Sequence, residues 1–436
     1  MHGLVLRTSP VRISTIPISM TAKSSSQSTV GKSSLKRAAR PAKPRIGLAL
    51  AGGGPLGAVY EIGALAAIEE AIEGLDVNDA DIYVGISAGG IIAAGLANGI
   101  TPHEMCRLFV ESDTAHTEDI LFKPEQLLRP AWSELRQRVG AVPGLLAGSL
   151  LHYLQRGGKS TLANSFERMK EALPTGIFSG IGIHEFMAAT FSAPHRSNDF
   201  RKLTRRLILV ATDLDSGESI KFGLAGFDDV PISKAAQASA AVPGLFPPVE
   251  INGRHFVDGA LRKTLHASIA LEQGIDVLIC LNPMVPYNAK IMYGPGKLAR
   301  GGLLAVLSQA LRAIIHSRVE IGMANYAISF PSTDILLLEP GAEDADMFFT
   351  NLFSTSNRRR MCENAYQNTR AMLWQRREEI DRKLARHGLR LTRSVLSDTS
   401  LTLVKNRPSG RRARFAIAEL NEALDGLERY LKITAR

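Results

Sequence analysis

Two textures of hydrophobic patterning alternate along the chain. Unbroken apolar runs at residues 46–51 and 81–86 each lead into a glycine-bearing turn, followed by stretches, 58–71 and 88–98, whose apolar positions recur at helical spacing. A short run that is apolar at nearly every position predicts a strand buried on both faces, as in a parallel sheet, and the helical stretch behind it predicts the crossover. Gly99 is placed to close the second helix. Residues 206–213 and 218–222 read as strands joined in hairpin fashion through Asp215-Ser-Gly217, residues 231–241 as a helix, 251–257 as a strand with a turn at Asn252-Gly253, and 275–281 as another buried strand. Beyond Pro283 the pattern turns helical, at 298–327, 358–387 and 413–431, interrupted by a strand at 334–338. Strands alternating with helices predict an α/β fold, a three-layer α/β/α arrangement around a mainly parallel sheet.

The pattern also divides the chain. Residues 45–285 form the expected α/β domain, with a helical insertion at about 109–202, and 286–436 a mainly helical extension. Inside the insertion, residues 127–155 interleave Leu128, Trp132, Leu145, Leu146 and Leu150 with Arg129, Arg136 and Arg138. Such a stretch suits a lid or a membrane-surface helix, and it suits equally a helical subdomain packed on the sheet.

Charge changes the picture only at the front. The chain of 436 residues carries a formal charge of +10, and nine cations lie within residues 1–45, which contain no Asp or Glu. The rest is close to neutral, so no nucleic-acid face is expected on the folded body. Residues 1–44, rich in Ser and Pro, are expected to be a disordered basic tail. They share features with an organelle transit peptide, and also fit a bacterial tail or a start placed too early, with Met20 as another candidate. No stretch reaches the roughly 20 apolar residues of a membrane span, so a cytoplasmic protein, free or peripherally attached, is expected. Cys106, Cys280 and Cys362 are far apart in sequence and odd in number, which argues against a disulfide framework and a zinc site.

Candidate chemistry sits at the turns. Gly85-Ile-Ser-Ala-Gly89 fits G-x-S-x-G between an expected strand and an expected helix, the context in which a sharp turn lifts a serine hydroxyl clear of the sheet. Ser87 is therefore the candidate nucleophile. Gly52-Gly-Gly-Pro-Leu-Gly57 also satisfies the dinucleotide-binding G-x-G-x-x-G, but Asp76, at the right spacing for a ribose contact, falls in a polar loop rather than at a strand end. An oxyanion hole formed by the amides of Gly53 and Gly54 uses these glycines more economically. Asp258 is the best-placed base, at the end of an apparent strand and followed by Gly259. Turn capping suits Asp213 and Asp215 better. If the enzyme used a Ser-Asp-His triad, His266 or His316 would be the third member.

These motifs, in this order and together with Asp258-Gly-Ala260, Ala211-Thr-Asp-Leu-Asp-Ser-Gly-Glu218 and Ala238-Ser-Ala-Ala-Val-Pro-Gly-Leu-Phe-Pro-Pro248, resemble the patatin-like phospholipase family over about residues 46–283. The resemblance implies a patatin-like fold and hydrolysis of acyl esters in phospholipids or neutral lipids. It further implies a Ser87–Asp258 dyad without histidine, an oxyanion loop of Gly52, Gly53 and Gly54, motif positions Gly57, Gly85, Gly89, Gly259 and Ala260, and no metal or cofactor. Leu56 departs from the family, which often has Arg or Lys there. Two other readings stay open: a non-catalytic lipid- or partner-binding protein that keeps the fold, and a dinucleotide-dependent oxidoreductase.

Overall fold

The computed structural model describes residues 43–111, 125, 129–131, 175–290, 294–350 and 353–404. The basic tail up to residue 42, nearly all of the stretch at 127–155 and the helix expected at 413–431 lie outside the described residues.

Among the described residues, eight strands form one sheet. They are β1 (Ile46–Leu50), β3 (Ile82–Gly85), β4 (Arg206–Asp213), β5 (Ser219–Phe222), β6 (Val249–Ile251), β7 (Arg254–Asp258), β8 (Val277–Leu281) and β9 (Asp334–Leu338). A separate pair joins β2 (Ile72–Glu73) to β10 (Arg390–Leu391). The sheet order is β6-β7-β4-β3-β1-β8-β9, with β5 also on β4. From β4 to β9 all pairings are parallel, while β5, β6 and β7 join antiparallel.

Side-chain alternation splits each parallel strand between two cores, because successive residues of a strand point to opposite faces. Leu48 and Leu50, Leu207 and Leu209, and Val277, Ile279 and Leu281 join one cluster; Ala49, Ile208, Val210, Leu278 and Cys280 join the other. The first face is covered by α1 (Gly54–Ala71), α2 (Ser87–Ala97), α3 (Ile181–Thr190) and α4 (Ile232–Ser239), with α6 (Thr355–Gln375) and α7 (Arg377–Ala385). Ile315 and Val319 of α5 (Gly302–Ser329) cover the second with Leu265, Ile269 and Leu271. The result is the expected α/β/α sandwich, built from strands apolar on both faces.

Helix α1 is buried almost all round because α6 lies against it. At their crossing a Cβ on Gly63 would stand 2.4 Å from the Cys362 carbonyl oxygen, so only glycine allows this approach. Glu61 on the same helix is fully buried, neither carboxyl oxygen has a partner among the described residues, and burial holds its pKa well above the carboxylate range. Burial without a partner favours its neutral form.

The single strand expected at 251–257 is instead two strands. Asn252 and Gly253 both take positive φ, 53° and 73°, which turns the chain back so that β6 and β7 pair antiparallel. The helix expected at 358–387 breaks at Arg376 into α6 and α7, and the one expected at 298–327 is a short turn, Lys297–Arg300, followed by α5 after Gly301. Cys106 and Cys362, 256 positions apart, meet with sulfurs 4.0 Å apart as free buried thiols. Among the described residues no helix is long and apolar enough to cross a membrane.

Candidate functional site

Strands β1 and β3 are neighbours and end level with each other, Leu50 opposite Gly85, so the turns that follow them share one place at the sheet's edge. After β3 the chain turns abruptly. Ser87 takes φ 54°, a left-handed conformation that costs a residue with a Cβ, and α2 begins at that residue. Gly85 and Gly89 make the turn possible: a Cβ on Gly85 would lie 2.6 Å from the Gly90 Cα, and one on Gly89 2.4 Å from the Ala51 carbonyl oxygen. The strained amide of Ser87 donates to the Ser239 hydroxyl at 2.8 Å, and that hydroxyl donates to the Val210 carbonyl at 2.6 Å. Ser239 thus pins the turn to β4 from α4. It lies within the motif Ala238-Ser-Ala-Ala-Val-Pro-Gly-Leu-Phe-Pro-Pro248, but nothing in the sequence assigns it this task.

Gly89→Ala should therefore prevent the turn from closing, because the new Cβ meets backbone on the adjacent strand. The expected cost is about 3 kcal/mol or more. Gly217→Ala, at φ 70° but with nothing within 4 Å of the new Cβ, should cost only about 1 kcal/mol. Thermal denaturation of the two variants checks the contrast, and equal losses would contradict it.

Register places the carboxylate. Gly85 pairs with Leu209 and Ala211 pairs with Asp258, so Ser87, two residues beyond the first pairing, comes level with Ala211 and hence with Asp258, with β4 between their strands. The sequence reading put Asp258 at the end of an apparent strand, and Asp258 is the last residue of β7. That strand is antiparallel to β4 and runs back toward the Ser87 turn from beyond the end of β4.

Asp258 is 2% exposed and Ser87 4%. Oδ1 of Asp258 accepts the Ala260 amide at 2.8 Å, and the Thr212 hydroxyl donates to the Asp258 carbonyl at 3.2 Å. Oδ2 has no partner of full hydrogen-bond geometry among the described residues. The Ser87 hydroxyl is nonetheless near enough to act on the carboxyl. Burial pushes the Asp258 pKa from 3.8 up to about 6, and the Ala260 amide and the Ser87 hydroxyl hold it down from going further. Gly259 lets this turn press on the sheet, since a Cβ there would lie 2.3 Å from the Val210 carbonyl oxygen.

The glycine loop after β1 closes the third side. A Cβ on Gly52 would fall 2.9 Å from the Ser87 Cβ and 3.8 Å from the Ala260 Cβ, so loop, serine and carboxylate turn are in contact. Gly53 is extended and Gly54 left-handed, at φ 60°. Among the described residues no acceptor takes the amides of Gly53 or Gly54, which stand at the N-terminus of the 18-residue α1. Neither α1 nor α2 has an acidic residue in its first turn, so two positive helix ends converge near Ser87 unneutralised. Gly57 donates its amide to the Gly53 carbonyl at 3.0 Å and packs on Pro283. Leu56 packs against the apolar core.

The other candidates go elsewhere. Asp213 caps a turn: Oδ1 accepts the amides of Asp215 and Ser216, Oδ2 accepts Arg254 at 2.7 Å, and these donors lower its pKa to about 2. Asp76 accepts the Asn78 amide at 2.8 Å in its own loop. His266 is buried at φ 45°, with Nε2 unpartnered among the described residues, and burial lowers its pKa to about 4. His316 stands 3.4 Å from Glu339. Among the described residues no hydrogen bond or ion pair joins either histidine to Ser87 or Asp258. Nor, among them, does any group of three His, Cys, Asp or Glu side chains suit a metal ion.

Residues 48–271 match the family model described as patatin-like phospholipase. Among solved structures, VipD from Legionella pneumophila is similar at 16% identity over 77% of this chain and 68% of its own, with a TM-score of 0.34. The type III effector ExoU is similar at 17% identity over 77% of this chain and 54% of its own, with a TM-score of 0.32. ExoU in its heterodimer with SpcU, from Pseudomonas aeruginosa, matches at 16% identity over 79% of this chain and 60% of its own, with a TM-score of 0.25.

Proposed function

Because the chain belongs to the patatin-like phospholipase family, we propose that it hydrolyses acyl ester bonds of lipids, with Ser87 as nucleophile, Asp258 as general base and the amides of Gly53 and Gly54 as the oxyanion hole. The observation that carries this reading is the level pairing of Ser87 and Asp258 across β4, with the hydroxyl acting on a buried carboxyl.

In the first half-reaction Asp258 takes the hydroxyl proton as the Ser87 oxygen bonds to the ester carbonyl carbon. The carbonyl oxygen becomes an oxyanion facing the two free amides and the positive end of α1. As the tetrahedral centre collapses, the bond to the alcohol breaks and the proton on Asp258 passes to it. Water then attacks the acyl-serine, Asp258 accepts its proton, and the fatty acid leaves as the serine oxygen is reprotonated. A carboxyl with a pKa near 6 is a stronger base than an ordinary aspartate and is still mostly ionised at pH 7.

A lipid substrate resides in an interface, and α5 supports peripheral contact with one. Leu307, Ile314, Ile321 and Ile328 form an exposed stripe at seven-residue spacing, Ile328 being 79% exposed. The test is fatty-acid release from phospholipid and from glyceride vesicles, beside turnover of a soluble short-chain ester, by wild type and by Ile314→Glu/Ile321→Glu. Wild type should release fatty acid, and the double variant should keep soluble-ester turnover while losing most vesicle hydrolysis. No fatty acid from any lipid, together with no fluorophosphonate labelling of Ser87, would remove the proposal.

A further inference from the structure

Outside the family-matched residues, one side chain holds the loop on which the glycine turn rests. Arg312, from the middle of α5, is 5% exposed. Its guanidinium donates to the carbonyls of Pro283 at 3.2 Å, Val285 at 3.1 Å and Met347 at 2.8 Å, and lies over the Phe348 ring at 5.5 Å. Burial lowers its pKa to about 10, so it remains a cation, and no carboxylate of the described residues pairs with it. A buried cation held only by neutral carbonyls and an aromatic face is costly to keep for packing alone.

What it holds is specific. Pro283 is the residue against which Gly53 and Gly57 lie: a Cβ on Gly53 would stand 2.6 Å from the Pro283 Cγ, and one on Gly57 3.0 Å from it. The Gly53 peptide is thus fixed on one side by the Gly57 amide and on the other by the proline ring. One turn before Arg312, Gln309 accepts the Tyr287 amide at 3.1 Å and donates to its carbonyl at 2.9 Å. Asn282 accepts the Met284 amide at 3.2 Å. The loop after β8 is therefore clamped through its backbone by one face of α5, and its first ring forms the back wall of the glycine turn.

We propose that Arg312 is a positioning residue for the oxyanion hole: by fixing the Pro283–Val285 backbone it sets where the Gly53 amide points. This inference rests on the proposed role of Gly53 and deepens it. The step Arg312 affects is oxyanion formation, where an error well under 1 Å in a donor lowers the rate without touching substrate binding.

The test compares wild type, Arg312→Met, Arg312→Lys and Pro283→Ala on a soluble short-chain ester, far below the melting temperature of each. Arg312→Met should lower kcat by about tenfold to a hundredfold with KM changed less than about twofold, and should slow fluorophosphonate labelling of Ser87 in proportion. Arg312→Lys, which keeps a cation and some of the donors, should recover part of kcat. Pro283→Ala leaves Arg312 intact and removes only the ring, so it should reproduce the fall in kcat even if Arg312→Met does not fold. Unchanged kcat per folded molecule in both Arg312→Met and Pro283→Ala, with only melting temperature reduced, would overturn the inference. Ser87→Ala in the same assay separates the two levels: if it stays active, the reading of the site fails, and if it is inactive while both loop variants are fully active, only the role of Arg312 fails.

Discussion

Replacing Ser87 with alanine should lower ester hydrolysis by about a thousandfold or more and abolish fluorophosphonate labelling, while the protein still folds. The serine contributes its hydroxyl to the reaction and its amide to the turn, and alanine removes only the first. The amide keeps its bond to Ser239, the Cβ stays beside Gly52, and the left-handed strain at φ 54° is unchanged. Thermal stability should therefore stay within about 1 kcal/mol of wild type. Glycine at the same position separates strain from chemistry. Ser87→Gly should be as inactive as the alanine variant yet more stable than it by about 1 kcal/mol, since glycine adopts positive φ without a clash. A Ser87→Ala protein that keeps more than a tenth of wild-type turnover would show that another group attacks the ester.

How far the sequence revealed this site depends on how local each signal is. β1, β3 and β8 could be read from runs of apolar residues, because a strand buried on both faces has no polar position to blur it. Ser87 could be read for the same reason, since strand, turn and helix all lie within 81–98. Asp258 was found through the Asp-Gly pair after an apparent strand, but its partner strand could not be read, because antiparallel pairing with β4 rests on contacts about 45 residues apart. The Asn252-Gly253 turn was visible, whereas the split it imposes on the strand was not. Ser239 and Arg312 were out of reach for a further reason. Both act on backbone, Ser239 on an amide 152 positions away and Arg312 on a carbonyl 29 away, and a bond to backbone leaves no complementary residue type for a reader to match. The thiols of Cys106 and Cys362 meet because α6 also packs on the helical turn Cys106–Glu111, a packing no single helix discloses.

Asp258→Asn should lose activity and gain stability at once. Asparagine keeps the shape and can still accept the Ala260 amide, but it cannot take the proton from Ser87, so kcat should fall by about a hundredfold to ten-thousandfold. The gain follows from the environment of the carboxyl, which is buried with Oδ2 lacking a full hydrogen bond. Folding raises its pKa from 3.8 to about 6. Below about pH 4 the group is protonated in both the folded and the unfolded chain and makes no difference. Between about pH 4 and 6 the folded chain retains a proton that the unfolded chain has released, so stability falls as pH rises. Above about pH 6 both forms are ionised and the folded protein carries the whole cost, about 3 kcal/mol at most from a shift of about two pKa units. Asparagine never ionises. The variant should therefore match wild type in melting temperature near pH 4 and exceed it near pH 8, with the gap opening across that window. Wild-type kcat/KM should rise with pH through about 6 and then level off, because the same ionisation that destabilises the fold supplies the base. A variant that is less stable than wild type at pH 8, or a wild-type profile flat from pH 5 to 8, would mean that the proton on Asp258 is not the one the reaction moves.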